Sequence, residues 1–325
     1  MNNTISYRGS IKRDGSIIGI KGSNFVSVSA CKDSLCALSR DGHILGFGFT
    51  ITPPKGVFVS ISIGPNYSLA LTIDGRVVAW GNYLCLRRLT TDTRKHFVAI
   101  ATGSEHSVGL TNDGQIVGCG YYSRTDCPSG NNFVAIAAGE NHSLALTRDG
   151  CVVGWGDKYA KQIECPEGNN FVAIAAGLWH SLALTRDGRI IGWGSNFDGN
   201  LNCPAGNNFV AISAGRYSSL ALTREGCVVF WGNGEFNQDR SPKKSEFIAI
   251  SNSAYHCTAL TKDGNIVEWG WTPTPKVPKE KVALPYDFLS RLNKNLKGLC
   301  SIPKYIKMEI LEDYTGWEFR DLYFL

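Results

Sequence analysis

The 325-residue sequence has no run of eighteen or more apolar residues, so no segment is long enough to cross a bilayer as a helix. It opens Met1-Asn2-Asn3-Thr4 without a basic stretch leading into an apolar run, and no secretory signal is expected. It has no Cys-x-x-Cys pair. Its eleven cysteines are odd in number. Cys127, Cys165 and Cys203 each precede a proline and are evenly spaced, which marks one repeated position rather than a ligand cluster. A reducing compartment follows as the expectation, cytoplasmic or nuclear, with a secreted effector lacking a conventional signal as the alternative. Strong charge is missing as well. The 33 basic and 28 acidic residues leave +5, and most basic residues stand singly beside an acid, which speaks against a nucleic-acid partner. No phosphate loop, zinc spacing or isolated catalytic constellation occurs. Catalytic residues, a metal, a cofactor and a small-molecule substrate are therefore all expected to be absent.

What the sequence does contain is repetition. Phe133-Val-Ala-Ile-Ala-Ala-Gly139 returns as Phe171-Val-Ala-Ile-Ala-Ala-Gly177 and Phe209-Val-Ala-Ile-Ser-Ala-Gly215, with weaker copies from Phe25, Phe58, Phe97 and Phe247. The spacing varies slightly among the early copies and is constant from Phe133 through Phe171 and Phe209 to Phe247. Each copy continues through His-Ser-Leu-Ala-Leu-Thr-Arg-Asp-Gly to an apolar run ending in Trp-Gly, then a Gly/Asn-rich loop and Cys-Pro-x-Gly-Asn-Asn. Apolar runs of four to seven residues bounded by Gly, Asp and Asn specify short strands. Asp149-Gly150 and its equivalents suit two-residue hairpin turns. A strand, a hairpin pair and a short outer strand near Cys-Pro make one antiparallel blade. Such blades bury their faces only by stacking around an axis. Trp80, Trp155, Trp193, Trp231 and Trp269 share one repeat position and are assigned to packing between neighbouring blades.

The unit Gly-x-x-His-Ser-Leu-Ala-Leu-Thr-x-Asp-Gly-x-Val-x-x-Trp-Gly resembles the regulator-of-chromosome-condensation repeat. It covers about residues 5–275, with eight Asp/Glu-Gly turns. Departures exist: Ser34, Tyr67 and Ser218 replace the histidine, Phe47 and Cys119 the tryptophan, and Cys31 and Ser253 the glycine. The resemblance implies an all-β fold, a single seven-bladed β-propeller over residues 1–284. An extra hairpin, Tyr7 to Ile20 around Asp14-Gly15, lacks a first strand that Val282-Ala283-Leu284 could supply, which leaves eight blades open. Leu289, Leu292, Leu296 and Leu299, then Ile306, Ile310 and Leu311, recur at helical spacing, so residues 285–325 form a helical C-terminal extension.

His106, His142, His180 and His256 recur at one position, one per blade, and are assigned to buried hydrogen bonds within their blades rather than to a metal. Adjacent residues of a strand face opposite ways, so His142 and Ser143 cannot act together as base and nucleophile. Arg40, Arg148, Arg186 and Arg224 flank acidic turn residues and form a solvated rim. Strand alternation sends the repetitive Asp-Gly turns to one end of the propeller and the variable loops to the other. That variable end carries Tyr159, Leu178, Trp179, Phe197, Arg216, Tyr217, Phe236 and Tyr255, residue types that dominate binding hot spots. The expected function is a monomeric, non-enzymatic scaffold that binds a protein partner through this face. The resemblance implies a second role, guanine-nucleotide exchange on a small Ran-like GTPase, although the compact copies hold no long insertion to serve as a wedge. A third role is a ubiquitin-ligase substrate receptor whose C-terminal helices dock an adaptor.

Overall fold

A computed structural model describes residues 18–20, 24–32, 34–47, 52–81, 87–90, 94–120, 126–243 and 246–271. They build seven antiparallel sheets, each an inner, a middle and an outer strand in chain order. The first three blades are Phe25–Cys31, Ser34–Ser39 and Ile44–Phe47; Phe58–Ile63, Tyr67–Thr72 and Val77–Gly81; and Phe97–Thr102, His106–Thr111 and Ile116–Gly120. Blades four and five are Phe133–Ala138, His142–Thr147 and Val152–Gly156, then Phe171–Ala176, His180–Thr185 and Ile190–Gly194. Blades six and seven are Phe209–Ala214, Ser218–Thr223 and Val228–Gly232, then Phe247–Asn252, His256–Thr261 and Ile266–Gly270. A single short helix, Arg87–Thr90, lies between blades two and three among the described residues.

The ring is held by what lies between blades. Every apolar cluster joins two successive blades: Leu182, Leu184 and Ile190 of blade five pack against Phe209, Ile212 and Trp231 of blade six. The same contact closes the ring, where Phe25, Val28 and Leu35 of blade one meet Leu260 and Ile266 of blade seven. The middle strands of blades three to seven are wholly buried because both of their faces meet a neighbouring blade. Inner strands add polar links. Ser29 accepts from the Ile63 amide at 3.3 Å, Ser62 from Thr102 at 3.0 Å and Ser213 from Asn252 at 3.0 Å. Ser251 accepts from Ala30 at 3.1 Å and so joins the last blade to the first.

The ring has the seven blades that the resemblance implies, and the eighth left open does not form: Ile18–Ile20 pairs antiparallel with Ile266–Glu268, so this segment becomes a fourth strand on blade seven. Two expectations are corrected. The Asp-Gly turns are three-residue loops. Thr147 N–H bonds the Cys151 carbonyl at 2.9 Å across Arg148, Asp149 and Gly150, the last with φ 87°, which is the turn-plus-bulge geometry of such hairpins. No strand forms at the Cys-Pro segments that follow blades three to five. Cys165 N–H turns back onto the Ile163 carbonyl at 3.0 Å, and Pro166 has no amide to give a ladder. The remainder of the Tyr7–Ile20 hairpin, Val282-Ala283-Leu284 and the helical extension at 285–325 lie outside the described residues.

Candidate partner-binding face

Each inner strand and each outer strand ends at the same end of the ring. That end therefore carries the Gly-x-x loops, such as Gly139–Asn141, and the loops that follow Trp-Gly. The opposite end carries the Asp-Gly turns and the Asn-Asn segments, joined there by Arg148 N–H to the Asn132 carbonyl at 2.7 Å and by Phe171 N–H to the Gly150 carbonyl at 3.1 Å.

At the variable end the two kinds of loop are tied together. Asp157 N–H bonds the Asn141 carbonyl at 3.0 Å, Ser195 the Trp179 carbonyl at 2.8 Å, Asn233 the Tyr217 carbonyl at 2.9 Å and Trp271 the Tyr255 carbonyl at 3.0 Å. The side chain at the first loop position then caps the amide two residues on. Asp157 accepts from Tyr159 at 2.9 Å, Ser195 from Phe197 at 3.3 Å and Asn233 from Glu235 at 2.9 Å. Further along, the backbone carbonyls of Gln162, Asn200 and Gln238 each receive the indole N–H of the next blade's tryptophan at 2.8 Å: Trp193, Trp231 and Trp269. The tryptophans thus fasten successive blades, and the loops stand on a rigid base.

The tightened loops thrust their third residue outward. Tyr159 is 91% exposed and Phe197 90%. Trp179 is also exposed, and Tyr217, Phe236 and Tyr255 are half-buried. Leu178 does not belong to the face. It is 4% exposed, because the position directly after the loop glycine turns toward the ring axis. Arg216 occupies the same position and pairs with Glu140 of blade four at 3.3 Å, while its guanidinium lies 5.2 Å from the Tyr217 ring centre. Burial pushes the Glu140 carboxyl up, and the charges of Arg216 and Lys32 pull it partly back. One contributor was missed from sequence. Trp271, half-exposed, sits edge-to-face on Tyr255 at 5.7 Å, and Tyr255 meets Phe236 in the same way at 4.9 Å. Trp271 directly follows the last Trp-Gly, at the loop position held elsewhere by Asp157, Ser195 and Asn233, and that register was the available signal.

The repeated histidines are buried and structural; three of the four, His106, His142 and His180, bond between blades rather than within them as expected, and His256 bonds within its own blade. Nε2 of His106, His142 and His180 lies 2.8, 2.8 and 2.9 Å from the hydroxyls of Ser143, Ser181 and Ser219, each in the next blade. Alternation places His on one face of the strand and Ser on the other, which threads the ring. Burial, joined by its two histidine neighbours, lowers His142 to about 3, and burial lowers His180 to about 4, so both are neutral. At the closing seam Leu35 stands where other blades carry the serine. His256 Nδ1 there meets Ser253 at 3.0 Å and Nε2 meets Glu268 at 3.4 Å. This resembles a catalytic triad in composition only. Ser253 is 4% exposed, and its hydroxyl is engaged with the His256 carbonyl at 2.8 Å. Among the described residues no group of three or more His, Cys, Asp or Glu side chains is placed to hold a metal, and no helix is long and apolar enough to cross a membrane.

Comparison with known proteins agrees with this geometry. The Regulator of chromosome condensation (RCC1) repeat matches at residues 58–82, 97–123, 133–159, 171–200 and 209–238. Among solved structures, the CRINKLY WD40 ectodomain of the Arabidopsis thaliana receptor kinase ACR4 superposes with a TM-score of 0.68 at 19% identity, over 80% of this chain and 99% of that one. The ectodomain of the Physcomitrella patens receptor kinase CR4 gives 0.63 at 24% identity, over 76% and 71%. Prp20p from Saccharomyces cerevisiae, described with its binding to Gsp1p and histones, gives 0.61 at 17% identity, over 87% and 86%. No curated protein sequence matches the chain.

Proposed function

We propose that this chain, which belongs to the Regulator of chromosome condensation (RCC1) repeat family, is a non-enzymatic scaffold that grips a protein partner with the variable end of its propeller. One observation carries this. Among the described residues the exposed large apolar side chains include four aromatics, Tyr159, Trp179, Phe197 and Trp271, and all four project from that end across blades four to seven. The others, Val57, Val59, Ile73, Val98 and Ile191, are single aliphatics elsewhere on the ring, of the kind any soluble surface shows. Exposed Trp and Tyr on pinned loops offer large contact area at little entropic cost, which is what a binding surface needs.

Family membership keeps nucleotide exchange on a small GTPase as the second reading, since yeast RCC1 (Prp20) is a member whose own partners include proteins, as in its complex with Kap60. One experiment addresses both. Partners captured from a cell lysate by the intact chain are compared with those of a Tyr159→Ala, Trp179→Ala, Phe197→Ala variant that keeps its circular dichroism. Loss of a captured protein supports the face. Capture of the same proteins at the same level overturns it. If the captured protein is a GTPase, accelerated nucleotide release selects the exchange reading, and unchanged release selects the scaffold.

A further inference from the structure

The aromatic residues of this face do not sit in one electrostatic setting. The loop after blade four, Asp157 to Glu164, balances two acids with two lysines, and Lys161 pairs with Glu164 at 3.9 Å. The loops after blades five and six carry Asp198, Glu235 and Asp239 and no base before Arg240. The one arginine among the Gly-x-x loops of blades five to seven, Arg216, already faces Glu140. Glu235 and Asp239 thus share a loop with Phe236, Asp198 is tied to that loop through Asn233 at 3.3 Å, and Arg240 is the one base beside them, so the aromatic corner of Phe236, Tyr255 and Trp271 is flanked by an excess of acid.

The geometry of that corner matters. Its rings meet edge to face at 73° and 87°, so each contact sets one ring's edge on another's face, and the surface left open is chiefly that of Trp271. An uncovered aromatic face is electron-rich and attracts a cation, most strongly for indole. Trp271 is 52% exposed, and Glu235 and Asp239 are exposed with it. An exposed indole beside loops with an excess of carboxylates suits a side chain that is flat or alkyl along its stem and positive at its tip.

Resting on the reading of the variable end as the binding face, we propose that the corner formed by Phe236, Tyr255 and Trp271, with Asp198, Glu235 and Asp239, receives an arginine or lysine side chain from a basic, extended segment of the partner protein. The aromatics supply the stacking surface and the acids set the sign.

The probe is a fluorescent peptide of roughly a dozen residues alternating Arg and Gly, with Glu/Gly and Gln/Gly peptides as controls, titrated by anisotropy against the full chain. The Arg peptide is expected to bind most tightly and to weaken as salt rises from about 50 to about 300 mM. Trp271→Ala is expected to weaken it by about tenfold, Trp271→Phe by much less because a ring face remains, and Glu235→Lys by roughly three- to tenfold. Asp187→Lys, at the opposite end of the ring, is expected to leave it unchanged. Equal binding of all three peptides, or indifference to both Trp271→Ala and Glu235→Lys, overturns the proposal. If no peptide binds while the Tyr159/Trp179/Phe197 variant still loses its lysate partner, the binding face stands and the cationic-side-chain assignment falls.

Discussion

Replacing Ser181 by alanine tests how the ring is held. The Ser181 hydroxyl has one proton, and it goes to the Gln162 carbonyl at 2.8 Å. The contact with His142 at 2.8 Å must then run the other way, with Nε2–H donating to the serine oxygen, which assigns the tautomer of His142. The same Gln162 carbonyl takes the Trp193 indole N–H at 2.8 Å, so one serine links blade four, blade five and the loop between them. In Ser181→Ala the carbonyl keeps Trp193, but the buried His142 donor loses its only acceptor. An unmet buried donor costs about 1–3 kcal/mol. At about 2–4 °C per kcal/mol in a domain of this size, a loss near 2 kcal/mol lowers the melting temperature by roughly 4–8 °C. Ser68 is the control. It holds the same repeat position in blade two and is 1% exposed, but the preceding blade carries Ser34 in place of the histidine, and the Ser68 hydroxyl has no partner. Removing an orphaned hydroxyl costs nothing, so Ser68→Ala is expected to be neutral within about 0.5 kcal/mol or slightly stabilising. Urea unfolding followed by tryptophan fluorescence and circular dichroism measures both. Equal losses in the two variants, or no loss in Ser181→Ala, would refute the inter-blade chain.

Acid sensitivity follows from the same histidines. His142 and His180 titrate near 3 and 4 in the folded ring but near 6.5 unfolded, so each contributes stability that is present above about pH 6.5 and lost as pH falls toward the folded values. Glu268, raised by burial to about 7, works in the opposite sense: its contribution is full below about pH 4.5 and disappears as pH rises through 7. Between about pH 4.5 and 6.5 the two histidines and Glu268 oppose one another, and Glu268→Gln is expected to steepen the loss of stability on acidification in pH-dependent urea titrations. A separate test concerns the turns. Gly150→Ala combines φ 87° with a Cβ that collides with the Asn169 carbonyl oxygen, whereas Gly168→Ala at φ 125° meets nothing nearer than 3.8 Å. Melting curves are expected to show a loss of about 2–4 kcal/mol for the first and nearer 1 kcal/mol for the second.

Much of this molecule is legible along the chain. A steady repeat period, strands of five or six, glycine where the backbone must turn with positive φ, and tryptophan at one fixed position are local facts. Each repeat states them again, so the strands, the blade and the family follow without the third dimension. The division of loops between two ends also follows, because strand direction alone decides it. The tertiary structure decided matters that depend on neighbours far apart in sequence. Whether Ile18–Ile20 opens a new blade or completes the last one depends on the free edge at Ile266–Glu268, nearly the whole ring away. Whether a histidine bonds inside its blade or across to the next depends on which way the stacked sheets face, and Ser181 lies one full repeat beyond His142. Leu178 and Trp179 are neighbours of similar apolar character, yet one is buried toward the axis and the other is exposed to solvent. A sequence can mark both positions as variable, but only the closed ring assigns one side chain to its interior and the other to its surface.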